Sequence, residues 1–215
     1  MENTILSEPI ERRNRLTQLG LDEEELLKCI GRGQGAWAEC TDNHPALFRG
    51  VAAWAETICA IREYLLPKSW KRVDDGNLPL TVNKSGTIAI IVWTGDEATG
   101  RVEENPSTKS SKGPRAADAV EGNLRNTLFG DIRKVRTTIG GRVAYVLLFH
   151  RDLEAEEVRA ELSQPVKINE EDGRVDGWVE RIILGSIPFG GDRILKTPDA
   201  PQTPNINIEI KRRSA

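Results

Sequence analysis

The segment that most constrains the fold of this chain is an uninterrupted run of apolar and β-branched residues at positions 87–94, with the sequence TIAIIVWT. A strand with one face in water alternates apolar and polar side chains, whereas this run is apolar in both alternating sets. It therefore predicts a strand whose two faces are both covered by other parts of the protein. The run is far shorter than the roughly 20 apolar residues of a membrane-spanning helix, so no membrane span is expected.

The first third of the chain has helical patterns. Capping residues and helix breakers predict helices at residues 7–19, from 22 to the glycines that begin at Gly31, and at 42–66. The third predicted helix has two neighbouring apolar stripes, which is more apolar surface than one buried face needs. We therefore expect it to lie between two layers of the protein, with an interface in a homo-oligomer as the alternative.

From residue 70 onward the pattern changes to short apolar segments separated by turn residues. It predicts a helix at 115–129 and strands at 142–150, 158–163, 178–187 and 205–210, with a helix at 153–162 as the rival to the second of these strands. The patterns together predict an α+β protein in which a helical region, residues 1–66, packs on a mainly antiparallel sheet within residues 67–215. The connection that begins at Pro67 is too short for a free linker, so both regions are expected to share one core.

The net charge of the chain is −3, but residues 107–142 carry eight basic and three acidic side chains. Such a basic central segment favours contact with phosphate groups or with an acidic partner. The favoured hypothesis is therefore a non-enzymatic binding or accessory protein that engages nucleic acid or a protein complex. The residues predicted to bind are Lys109, Lys112, Arg115, Arg133, Lys134 and Arg136.

Residues 95–114 form a predicted loop of about twenty residues, which is unusually long for a compact domain. Its lysines, hydroxyls and glycines are suited to anion binding. We expect this loop to be exposed, so that a neutral linker in place of residues 107–113 would reduce binding with little change in melting temperature.

The main alternative is a magnesium-dependent phosphodiester hydrolase. Asp96 and Glu97 follow the predicted strand at 87–94, and Asp199, Glu209 and Lys211 match the PD-(D/E)xK motif of metal-dependent nucleases. In that motif the acids bind the metal and the lysine orients or activates water. The favoured hypothesis requires no catalytic residue, cofactor or metal.

Three cysteines are too few for a disulfide framework, and the amino terminus lacks a basic segment followed by an apolar one. Both features predict a cytoplasmic protein.

Overall fold

A computed structural model of the protein describes residues 3–129 and 142–189. Within these ranges the chain forms one sheet and four α-helices, with a short 3-10 helix, Leu66–Lys68, after the third α-helix. In chain order the elements are β1 (Thr4–Leu6), α1 (Pro9–Gln18), α2 (Glu23–Ala38), α3 (Phe48–Leu65), β2 (Lys71–Asp75), β3 (Leu78–Val82), β4 (Ile88–Thr94), α4 (Pro114–Phe129), β5 (Val143–Asp152), β6 (Glu157–Ile168), β7 (Val175–Ile183) and β8 (Ile187–Pro188).

The sheet has the strand order β1-β7-β6-β5-β4-β3-β2, and β8 pairs with β6. Most neighbouring strands are antiparallel, but β4 pairs with β5 in parallel, and so does β1 with β7. The α+β class with a mainly antiparallel sheet is therefore confirmed. The parallel pairing of β4 with β5, and the short strand β1 with its parallel pairing to β7, were not predicted.

Both faces of the sheet are covered, as the run at 87–94 predicted. On β4, Ile90 and Val92 pack into one apolar cluster with residues of α1, α2 and α3. Ala89, Ile91 and Trp93 point to the other face and pack with residues of α4. Burial of each large apolar side chain stabilises the fold by about 1.5 to 3 kcal/mol, so this double coverage favours β4 as a central strand.

The amino-terminal helices pack on the sheet, as predicted. Leu26 of α2 and Ile61 of α3 belong to the same buried cluster as Leu147 of β5 and Ile182 of β7. The helical region and the sheet thus share apolar contacts. A division of the chain at residues 66 and 67 stays a prediction.

The predicted end of the second helix at Gly31 is wrong. Asp22 is the N-cap, as expected, and its side chain accepts a hydrogen bond from the Glu25 amide at 3.1 Å. The helix then continues through the glycines to Ala38. Gly33 lies against α3, where there is no room for a side chain, so tertiary packing explains this glycine.

The expectation that α3 lies between two layers is also wrong. Ile58, Ile61 and Leu65 in its carboxyl-terminal half are buried, whereas Val51 is 52% exposed and Leu47, just before the helix, is 84% exposed. Most of α3 therefore packs on the sheet, whereas the apolar side chains around its start are exposed. Within the described ranges, no helix is both long enough and apolar enough to cross a bilayer.

The carboxyl-terminal strands form the predicted meander. β5 and β6 pair as an antiparallel hairpin, so the rival helix at 153–162 is wrong. The strand predicted at 178–187 corresponds to β7, which begins at Val175. The predicted strand at 205–210 lies outside the described residues.

Candidate functional site

A cleft lies where the parallel strands β4 and β5 end. Its floor contains Thr94 at the end of β4 and Phe149–Arg151 near the end of β5, and its walls come from the end of α2 and the start of α3. An inner pocket of about 110 Å³ and an outer groove of about 770 Å³ share Trp37, Gly50, Thr94 and Lys109 as lining residues. Ligands commonly bind at the carboxyl ends of parallel strands.

Arg151 is the central cation of this cleft. Its guanidinium carbon lies 3.5 Å from the ring centroid of Trp37 and 3.9 Å from that of Phe189, and its Nε donates to Gln34 Oε1 at 3.1 Å. Burial, and then the nearby charge of Arg49, lower the pKa of Arg151. No carboxylate within residues 3–129 and 142–189 forms an ion pair with Arg151.

Two further cations line the outer groove. Arg49 lies 5.1 Å from the Trp37 ring centroid and pairs with Asp42 at 2.7 Å, but that carboxylate side chain is fully exposed. The backbone amide of Lys109 donates to Thr94 O at 2.9 Å, which fixes the lysine at the end of β4. The Lys109 ammonium has no ion-pair partner in the described part of the chain. Positive charge therefore converges on the aromatic wall formed by Trp37.

His150 lines the inner pocket, and its Nδ1 lies 3.4 Å from Gly95 O. Burial is the main cause that lowers the pKa of His150, against a smaller opposing effect of the Gly95 carbonyl. The neutral imidazole is therefore the dominant form in the cleft at neutral pH, and the positive charge there comes from the arginines and the lysine.

We expect the imidazole of His150 to titrate below its ordinary pKa of about 6.5. Since the folded state binds this proton more weakly than the unfolded state, protonation favours unfolding. The stability contributed by neutral His150 is thus present above about pH 6.5 and is lost as the pH falls. Histidine NMR signals followed over a pH series would measure this, with His150→Gln to assign the resonance. A His150 signal that titrates at or above the ordinary value would contradict the prediction.

The loop between β4 and α4 is exposed over about half of its residues, Lys109 among them, but buried residues anchor it to the protein, so the expectation of an exposed loop holds only in part. Thr99 and Thr108 are fully buried. The Thr108 hydroxyl accepts from the Val175 amide at 3.1 Å and donates to Ser110 O at 3.0 Å. Replacing residues 107–113 would therefore remove buried hydrogen bonds and lower the melting temperature.

Asp96 organises this loop. Its carboxylate accepts hydrogen bonds from the backbone amides of Ala98 and Ser107, at 3.2 and 2.9 Å. Within residues 3–129 and 142–189, no group of three or more histidine, cysteine or acidic side chains is placed to hold a metal ion. Asp199, Glu209 and Lys211 lie outside the described residues.

Of the predicted binding residues that the structure describes, Lys109 is the one that lines the cleft. Lys112 lies 5.0 Å from the ring centroid of Trp93, and burial lowers the pKa of Lys112 to about 8. Arg115 forms ion pairs with Asp75 at 3.5 Å and Asp118 at 3.9 Å. Arg133, Lys134 and Arg136 lie outside the described residues.

Sequence analysis missed the other members of the cleft, Trp37, Arg49 and Arg151. One signal was present: His150 and Arg151 directly follow the run of apolar residues at 143–149. That signal becomes informative only once β5 is known to run parallel to β4.

Comparison with known proteins found no matching family model, no matching curated protein and no matching solved structure. The chemistry of the cleft is therefore the basis on which a function is proposed.

Proposed function

We propose that this protein is a non-enzymatic accessory protein of the cytoplasm that binds nucleic acid through the cleft at the ends of β4 and β5. The observation that carries the proposal is the guanidinium of Arg151, which is held between Trp37 and Phe189. It has no carboxylate partner among the described residues. The three free cysteines are in keeping with the cytoplasm.

The electrostatics of the cleft favour an anion. Burial, and second to it the charge of Arg49, lower the pKa of Arg151, so the two cations disfavour each other in the unbound protein. A phosphate group near both would relieve this repulsion. Arginine suits the task because its planar group of donors matches the oxygens of a phosphate.

The shape of the cleft favours an extended ligand. The outer groove is about seven times larger than the inner pocket and is continuous with it through Trp37 and Lys109. Arg151 lines the inner pocket, Arg49 the outer groove and Lys109 both. A chain of phosphates can contact several such cations at once, whereas a small anion cannot.

The test is the binding of a labelled oligonucleotide, followed by fluorescence anisotropy between about 50 and 200 mM salt. We expect Arg151→Ala to weaken binding about tenfold or more, because it removes a charged hydrogen-bond donor. Lys109→Ala should also weaken binding, and it changes an exposed side chain that the fold does not need. Each lost phosphate contact should reduce the slope of log K against log salt by about 0.7 on a single strand.

Arg72→Ala is the matched control, because Arg72 lies on β2 with 67% of its side chain exposed and does not line the cleft. It removes one positive charge and should leave the affinity almost unchanged. The proposal is overturned if the unaltered protein does not bind nucleic acid, or if Arg151→Ala and Lys109→Ala bind as well as Arg72→Ala does. Cleavage of the oligonucleotide in Mg²⁺ that is lost in Asp199→Ala would instead support the hydrolase.

A further inference from the structure

An exposed aromatic pair lies beside the outer groove: His44 lines the groove, and Phe48 stands in the chain between two lining residues, Leu47 and Arg49. The rings of His44 and Phe48 are stacked, with centroids 5.1 Å apart and planes inclined by 10°. The Thr41 amide donates to Nδ1 of His44 at 3.0 Å and so orients that ring. Phe48 is 44% exposed, so the pair offers a flat apolar surface to solvent.

This surface is part of an apolar patch that the fold leaves uncovered. Leu47 and Val51 are both more than half exposed, although the next turns of α3 carry buried residues. Contiguous exposed apolar patches commonly mark binding sites. We therefore expect a ligand or partner to cover this patch.

Charge complementarity identifies the occupant. Arg49 follows Phe48 in the chain, and the outer groove is lined by Arg49 and Lys109 together with Asp42, which pairs with Arg49 at 2.7 Å. If two copies of the chain met through this patch about a two-fold axis, two grooves that each carry a net positive charge would face each other. A nucleotide fits better, because it carries an apolar aromatic base beside an anionic phosphate.

We propose that the outer groove selects single-stranded nucleic acid, with an unpaired base stacked on the Phe48 ring and the adjoining phosphates on Arg49 and Lys109. The inference rests on the proposed function and names its substrate class. In a duplex the bases are paired and stacked on each other, so they cannot present a free face to an aromatic side chain. Stacking tolerates every base, so little sequence preference is expected.

The test compares three ligands of equal length: a single strand, its duplex, and a single strand with abasic sites. The unaltered protein should bind the ordinary single strand best. Phe48→Ala should weaken that binding about fivefold or more, which is the lower end of the effect of losing one stacked base. It should leave the affinity for the abasic strand unchanged, and Phe48→Trp should keep the preference.

Ile10→Ala is the control, because Ile10 is an apolar residue of α1 that is 76% exposed and does not line the cleft. If the unaltered protein binds duplex and abasic strands as tightly as the ordinary strand, and Arg151→Ala still weakens all three, the stacking inference is wrong and the proposed function stands. If none of the ligands binds, both fail. A self-associating protein that Phe48→Ala converts to a monomer, measured by light scattering, would assign the patch to a second copy and overturn the inference.

Discussion

Replacement of Arg181 by methionine is expected to lower the free energy of unfolding by about 3 to 5 kcal/mol. Arg181 and Glu161 are almost fully buried, and two hydrogen bonds of 2.6 and 3.0 Å join them. Methionine would leave the carboxylate of Glu161 buried without its counter-charge. The change would also remove the donors that hold the loop carbonyls of Arg101 and Glu104, at 3.0 and 2.7 Å. Urea unfolding followed by circular dichroism would measure the loss.

Arg115→Met is the comparison for an exposed ion pair. The Arg115 side chain is 57% exposed and lies 3.5 Å from Asp75, so solvent screening should limit the loss to less than about 1 kcal/mol. A double variant, Arg181→Met with Glu161→Leu, should recover part of the stability because it removes the uncompensated charge. An Arg181→Met protein that unfolds at the same urea concentration as the unaltered protein would contradict the burial of this pair.

The strands were predictable because their local patterns agree with their surroundings. The predicted strand at 87–94 begins one residue before β4. The prediction succeeded because side chains of both alternating sets are buried, as the uninterrupted apolar run indicates. In β6, Val158, Ala160 and Leu162 alternate with polar residues and pack into the cluster beneath the amino-terminal helices. The alternation identified a strand there even though glutamate and alanine favour a helix.

The packed loop could not be predicted from its composition. Glycine, proline, serine and lysine indicate a fully exposed segment, yet contacts with residues distant in the chain bury part of it. Trp178 Nε1 donates to Pro106 O at 2.8 Å, and the Gly100 amide donates to Glu161 at 2.9 Å. Each of these partners lies more than 60 residues after the loop residue that it contacts, so no local pattern reveals it.

The same reason limits prediction of the candidate site. Trp37, Arg49, Lys109 and Arg151 come from four segments of the chain. The parallel pairing of β4 with β5 and the packing of α2 and α3 on the sheet bring them together. Charge density along the sequence singled out Lys109 but equally Arg115, which an ion pair with Asp75 holds outside the cleft. Density of charge locates a basic segment, whereas the fold decides which cations share a surface.

We expect Gly33→Ala to destabilise the protein by about 2 to 3 kcal/mol, near the upper end of the cost of overpacking. A Cβ atom at Gly33 would lie 2.1 Å from the Thr57 hydroxyl oxygen and 2.6 Å from the backbone oxygen of Ala53. The Thr57 side chain cannot simply turn away, because it is fully buried and donates to Ala53 O at 2.7 Å. Helices α2 and α3 would have to separate, which loosens the apolar contacts below them. Thermal unfolding would measure the effect.

Gly35→Ala provides the control within the same helix, because no atom lies within 4 Å of a Cβ atom placed there. Alanine favours a helix over glycine by about 1 kcal/mol, so this variant should be slightly more stable than the unaltered protein. Gly33→Ala should lower the stability and Gly35→Ala should raise it, so the two variants separate the effect of helix packing from that of helix propensity. If α2 ended at Gly31, both substitutions would fall outside a helix. Neither the loss of stability at Gly33 nor the gain at Gly35 would then be expected. A stabilised Gly33→Ala protein would therefore contradict the close approach of α2 to α3, on which the walls of the cleft depend.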